Sequence, residues 1–128
     1  MRLLLDTHVL LWWLFDDPKL SLTARDLLME PDHLVLISAA SAWEISTKHR
    51  LGKLPAADKL LQDFEGWVRR AGFQELTVTL EHGRVAGGFP QDHRDPFDRM
   101  LAAQSLLENL PLVTRDPAFQ SFDIEVLW

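Results

Sequence analysis

The chain has 128 residues, 47% of them hydrophobic and 25% charged, with a formal net charge of −6 and no cysteine. This length suits one domain over residues 1–128 with a sizeable core, and the missing cysteine excludes disulfides, a thiolate nucleophile and a zinc–thiolate site. The acidic balance argues against a protein that coats nucleic acid with a broad basic surface, though not against a nuclease, whose carboxylate-lined metal site adds negative charge of its own.

The first segment, MRLLLDTHVLLWWLFDD, is apolar but carries Asp6 and His8 and ends in two aspartates. It reads poorly as a signal peptide, since no small-residue cleavage site follows. No apolar run reaches the roughly 18 residues of a membrane span, so no membrane role is expected and the cytoplasm is the expected compartment. Arg2 to Leu5 predicts a buried strand ended by Asp6, and Thr7 to Phe15 a buried helix broken by Asp16-Asp17-Pro18. Ser21 or Thr23 starts a short helix through Met29, stopped by Pro31. Leu34 to Ser38 predicts a second buried strand, and about Ala40 to Leu51 a helix closed by Gly52. Leu60, Phe64, Trp67 and Ala71 recur at the spacing of a single helix ended by Gly72. Phe73 to Val78 predicts a third strand, followed by a short helix over Leu80 to Ala86. Pro96 to Leu110 is the strongest helix, with Phe97, Met100, Leu101, Leu107 and Leu110 as its apolar face. Leu112 to Thr114 and Ile124 to Leu127 complete the strands. Strands apolar on both faces, alternating with helices, predict an α/β chain: a parallel sheet of four to five strands, covered on both sides in three α/β/α layers.

In such sheets ligands bind beyond the carboxyl ends of the strands. Asp6 follows the first strand, Glu44 lies one turn into the helix after the second, and Asp116 follows the fourth. The long helix runs antiparallel to the sheet, so Asp95 and Asp98 at its start belong to the same edge. Each acid taken alone also reads as a helix-start device: Asp6 before Thr7, Ser41 to Glu44 as a capping box, Asp95 before Pro96, Asp116 before Pro117. Together they bring like charge to one rim, which is unfavourable without a cation. Oxygen-only ligands point to Mg²⁺ or Mn²⁺.

LLLDTHVLLWWL, SAASAWEI, RDPFDRMLAAQ and LVTRD, in that order and spacing, resemble the VapC-like PIN-domain ribonucleases, the toxin halves of toxin–antitoxin pairs. The resemblance covers essentially the whole chain. It implies a PIN-like fold, a metal site of Asp6, Glu44, Asp98 and Asp116, and hydrolysis of RNA phosphodiesters. It also implies a cognate antitoxin and a homodimer. Asp95 is either an additional ligand or the helix cap; Asp98 has the family's spacing to Leu101-Ala102-Ala103.

Around the acids, Lys48, one helical turn beyond Glu44, is placed either to hold Glu44 or to contact RNA phosphate; Arg115 is a second candidate for phosphate, and Arg94 and Arg99 also flank acids. Thr7 and Thr114 lie near the rim as possible partners of a carboxylate or phosphate, or as hydroxyls satisfied locally. His8, His49 and His93 lie near the acids in sequence and read as exposed surface residues, with a ligand or base as the alternative role. Trp12, Trp13 and Trp43 read mostly as core, but adjacent Trp12 and Trp13 cannot face the same way on one helix, so one of them is expected at a subunit interface. Two other functions fit parts of the pattern: a metal-dependent phosphatase with Asp6 as nucleophile, and a non-catalytic PIN-like binding module, against which the full set of acids speaks.

Overall fold

A computed structural model describes residues 1–128. Its elements are β1 (Arg2–Leu5), α1 (Thr7–Leu14), α2 (Leu22–Met29), β2 (Leu34–Ser38), α3 (Ala39–Arg50), α4 (Asp58–Gln62), α5 (Phe64–Arg70), β3 (Gln74–Leu76), α6 (Leu80–Gly88), α7 (Pro96–Glu108), β4 (Leu112–Val113) and β5 (Val126–Leu127), with short 3₁₀ turns at Pro55–Ala57 and Pro117–Ser121. The five strands form one sheet in the order β3-β2-β1-β4-β5, and every neighbouring pair is parallel. β1, whose three leucines are all buried, lies in the middle, where both of its faces need covering.

The two-residue alternation of a strand divides the core between the faces. Leu3, Leu5, Val35, Ile37 and Val113 point to a larger core with Val9, Leu10, Ile45, Phe64 and Phe73. Leu4, Leu36 and Leu112 point to a smaller one with Leu101, Ala102, Leu110, Phe119 and Phe122. The predicted three layers follow from that division. Gly52 and Gly72 stop α3 and α5 at φ values of 76° and 79°, a left-handed backbone that other residues adopt reluctantly. Buried His82 closes a capping box with Thr79 at the start of α6 and meets Glu108 on α7 at 2.9 Å, fastening those two helices together.

Three expectations need correction. The single helix through Leu60 and Ala71 is two helices, because Asp63 leaves the helical region at φ −148°, ψ 52°. The Asp63 carboxylate lies over Gly66, where an added Cβ would stand 2.3 Å from Oδ2, so the break depends on a residue without a side chain. The box proposed over Ser41 to Glu44 is absent: Ser38 caps α3 by accepting from Ala40 N–H, and Ser41 lies inside the helix. On α7 the fully buried run is Leu101 to Ser105, while Phe97, Met100 and Leu107 are only partly covered.

Candidate metal centre at the acidic rim

The strand order reverses between β1 and β4, the point at which an open α/β sheet forms its crevice. Leu5 pairs with Val113, so Asp6 and Thr114 leave the sheet side by side. Thr114 Oγ1 donates to Asp6 Oδ2 at 2.8 Å and accepts from Asp116 N–H at 3.0 Å. Asp6 is 4% exposed and makes no capping hydrogen bond to α1, so the helix-start explanation does not account for its carboxylate. Thr7, by contrast, is satisfied across the fold and not locally, donating to Ser41 Oγ of α3 at 2.9 Å.

On the other side of β1, β2 hands over to α3, which carries Glu44 at 2% exposure. Lys48, one turn further along α3, is ion-paired with Glu44 Oε2. Across the crevice α7 presents its N-terminus. Asp95 is its cap, accepting from Phe97 N–H at 2.9 Å and Asp98 N–H at 3.2 Å. Asp98 caps nothing; His93 Nε2 approaches its Oδ2 at 2.9 Å.

The carboxylates feel one another. Burial comes first in pushing the Asp98 pKa from the ordinary 3.8 up to about 6; the His93 hydrogen bond opposes the rise, and the charges of Asp95, Asp6 and Glu44 add to it. Burial also raises Asp6, against the Thr114 hydrogen bond and nearby His8, with Glu44 reinforcing the rise. Burial of Lys48 works against its charge, but the hydrogen bond and charge of Glu44, helped by Asp95 and Asp98, outweigh it and raise its pKa. Four acids from three segments thus form one electrostatic cluster facing one ammonium.

Asp116 stands apart from that cluster. Its carboxylate caps the Pro117–Ser121 turn, accepting from Ala118 N–H at 2.9 Å, and only its backbone joins the Thr114–Asp6 link. As the side chains stand, no three Asp, Glu or His residues are gathered closely enough to hold one ion between them. In chemistry and in placement, Asp6, Glu44 and Asp98 still fit a hard divalent cation: their donors are all oxygen, Asp6 and Glu44 are buried and Asp98 partly so, and they repel one another.

Several neighbours differ from expectation. Arg99 is not free for phosphate, because its guanidinium donates to five backbone carbonyls. Arg115 is exposed and lies 4.5 Å from the Trp12 ring centroid, over its face. His93 is not a surface residue but a partner of Asp98. Trp43 is not core: it is 64% exposed and meets Phe97 edge-to-face at 4.9 Å, on the wall of a groove of about 400 Å³ between α3, α6 and α7. Trp12 and Trp13 diverge within their own chain, Trp12 onto Trp128 and Trp13 onto Phe73.

Comparison with known proteins gives a consistent picture. The sequence pattern of the PIN domain matches residues 3–125. Ribonuclease VapC16 of Mycobacterium tuberculosis is 38% identical over 68 residues, a stretch covering 52% of this chain and 48% of that protein, about half the length of each. Ribonuclease VapC22 of the same organism is 29% identical over 123 residues, 92% of this chain and 89% of that protein. The crystal structure of VapBC2 from Rickettsia felis bound to a DNA fragment from their promoter contains a chain of the same fold, with a TM-score of 0.72 at 16% identity, covering 100% of this chain and 98% of that one.

Proposed function

The chain belongs to the PIN-domain family, and on that premise we propose that it is a metal-dependent endoribonuclease, the toxin half of a toxin–antitoxin pair. The observation that carries this reading is the withdrawal of Asp6 and Asp98 from water at the sheet's switch point, which, reinforced by the charges of neighbouring acids, raises the pKa of both. Such a cluster is costly for folding alone and useful for holding a cation. The names of the two mycobacterial relatives support RNA as substrate, and the toxin–antitoxin complexes among proteins of this fold support a cognate antitoxin.

Asp6, Glu44 and Asp98 would hold Mg²⁺ or Mn²⁺, with Asp116 as a fourth acid within reach of the rim. The bound ion would supply acidification of water and neutralisation of charge developing on the phosphodiester. The chain's own residues do the rest. Thr114 orients Asp6, and His93 orients Asp98. Lys48 compensates Glu44 in the metal-free protein and stands close enough to the rim to face a phosphate oxygen. Arg115, exposed next to Asp116, offers a second cationic contact for the backbone of the RNA. A homodimer belongs to the same reading.

The test is direct. Purified protein is incubated with tRNA, ribosomal RNA and messenger RNA, and separately with a phosphomonoester, in Mg²⁺, Mn²⁺ or EDTA. Cleavage of RNA only with metal, with the monoester untouched, is the expected result. Hydrolysis of the monoester with every RNA intact would make the protein a phosphatase instead.

A further inference from the structure

Between α6 and α7 the chain runs through residues 89–95 without regular structure, and a single side chain gathers it. Arg99 Nε donates to Ala86 O at 2.8 Å. Its Nη1 donates to Gln91 O and His93 O, each at 2.9 Å, and its Nη2 to Phe89 O at 2.7 Å and Gly87 O at 3.4 Å. A guanidinium has five N–H donors in a fixed fork, and every one is matched. Phe89, under the guanidinium, packs on Phe122 at 4.9 Å, and the His93 ring meets Phe122 at 5.9 Å. The last carbonyl that Arg99 holds is that of His93, whose ring then reaches back to Asp98, the residue preceding Arg99.

We infer that Arg99 and His93 are positioning residues acting in series: Arg99 folds the α6–α7 loop around its guanidinium, and that loop delivers His93 to Asp98 and fixes the carboxylate for the cation. This rests on the reading of Asp98 as a metal ligand. A loop stapled only for stability would need no particular residue at position 93. Here the backbone of position 93 is held by Arg99, its ring is walled by Phe122, and its remaining hydrogen bond goes to Asp98. Outer residues that orient a metal ligand typically change metal affinity by about 10–100-fold when removed. Lysine cannot replace Arg99, since it has three donors and no fork.

The experiment measures the Mn²⁺ dissociation constant by titration calorimetry on the full chain, at a temperature where circular dichroism finds each variant folded. Arg99→Gln, Arg99→Lys and His93→Ala should each weaken Mn²⁺ binding by about tenfold or more. His93→Gln, which keeps a side-chain donor for Asp98, should recover part of that loss. The double variant of Arg99→Gln with His93→Ala should bind no worse than the weaker single variant, because the two act through one chain of contacts. Losses that add in the double variant would overturn the series. Unchanged Mn²⁺ affinity in His93→Ala, with a fall in melting temperature alone, would reduce the arrangement to a loop staple, and this holds even if the Arg99 variants fail to fold. Asp98→Asn separates the two levels: if it binds Mn²⁺ as the natural chain does, the metal reading fails and takes this inference with it, whereas its loss beside an intact His93→Ala overturns the inference alone.

Discussion

Replacing Asp98 by asparagine should make the metal-free protein more stable, by an amount set by pH. The carboxyl titrates at about 6 in the folded chain against an ordinary 3.8. A carboxyl raised in this way contributes stability that is fully present below the unfolded value and is lost as pH rises through the folded one. Above about 6 the native state therefore carries a charge that its surroundings disfavour, while the unfolded chain carries the same charge in water. At about 1.4 kcal/mol per pKa unit the displacement corresponds to about 3 kcal/mol at full strength. The side chain keeps 15% exposure, and solvent screening reduces the figure to about 1–2 kcal/mol. Asparagine removes the charge while its side-chain oxygen still accepts from His93. In EDTA near pH 8, Asp98→Asn should melt about 4–8 °C higher than the natural chain, and near pH 4 the two should melt together. Calorimetric melts across that range make the comparison. A variant that is less stable at pH 8, or whose gain is the same at pH 4, would refute the reasoning and leave Asp98 as an ordinary residue of the helix start.

Asp95→Ala should behave differently. It removes two capping hydrogen bonds and should cost about 1 kcal/mol in chemical denaturation, yet RNA cleavage should be only partly reduced. Lys48→Met leaves a buried Glu44 carboxylate without its ammonium, and should lower metal-free stability by about 2 kcal/mol or more, with Mn²⁺ restoring most of the loss in a melting experiment. Sedimentation at micromolar concentration should find a dimer; a monomer alone would contradict that expectation.

Much of the rim was legible because parallel α/β topology sends the carboxyl end of every strand to one edge. The order of Asp6, Glu44 and Asp98 along the chain was enough to bring them there, and the apolar faces of β1 and β2 announced a covered sheet. Asp116 shares the edge, but its carboxylate is taken by the Ala118 amide, the helix-start role that its place before Pro117 had already offered. The features that escaped the sequence depend on contacts without periodicity. Leu60, Phe64, Trp67 and Ala71 keep helical spacing across a break made by one carboxylate over one glycine; the local signal was Asp63 followed three residues later by Gly66. Arg99 reads as one more charge beside an acid until the loop ending in His93 closes around it. Trp43 reads as core by composition, but on α3 it lies beside Phe97 at an open groove instead of under another layer.

The central claim is that carboxylates from three separate segments form a divalent-cation site and cut RNA with it. The measurement that meets it most directly is cleavage of RNA by protein stripped with EDTA and then given Mg²⁺ or Mn²⁺, run beside Asp6→Asn, Glu44→Gln and Asp98→Asn. The account predicts that the stripped natural chain is inactive, that either metal restores cutting, and that none of the three variants is restored. Cutting that persists in EDTA, or full restoration in any of the three, would contradict it.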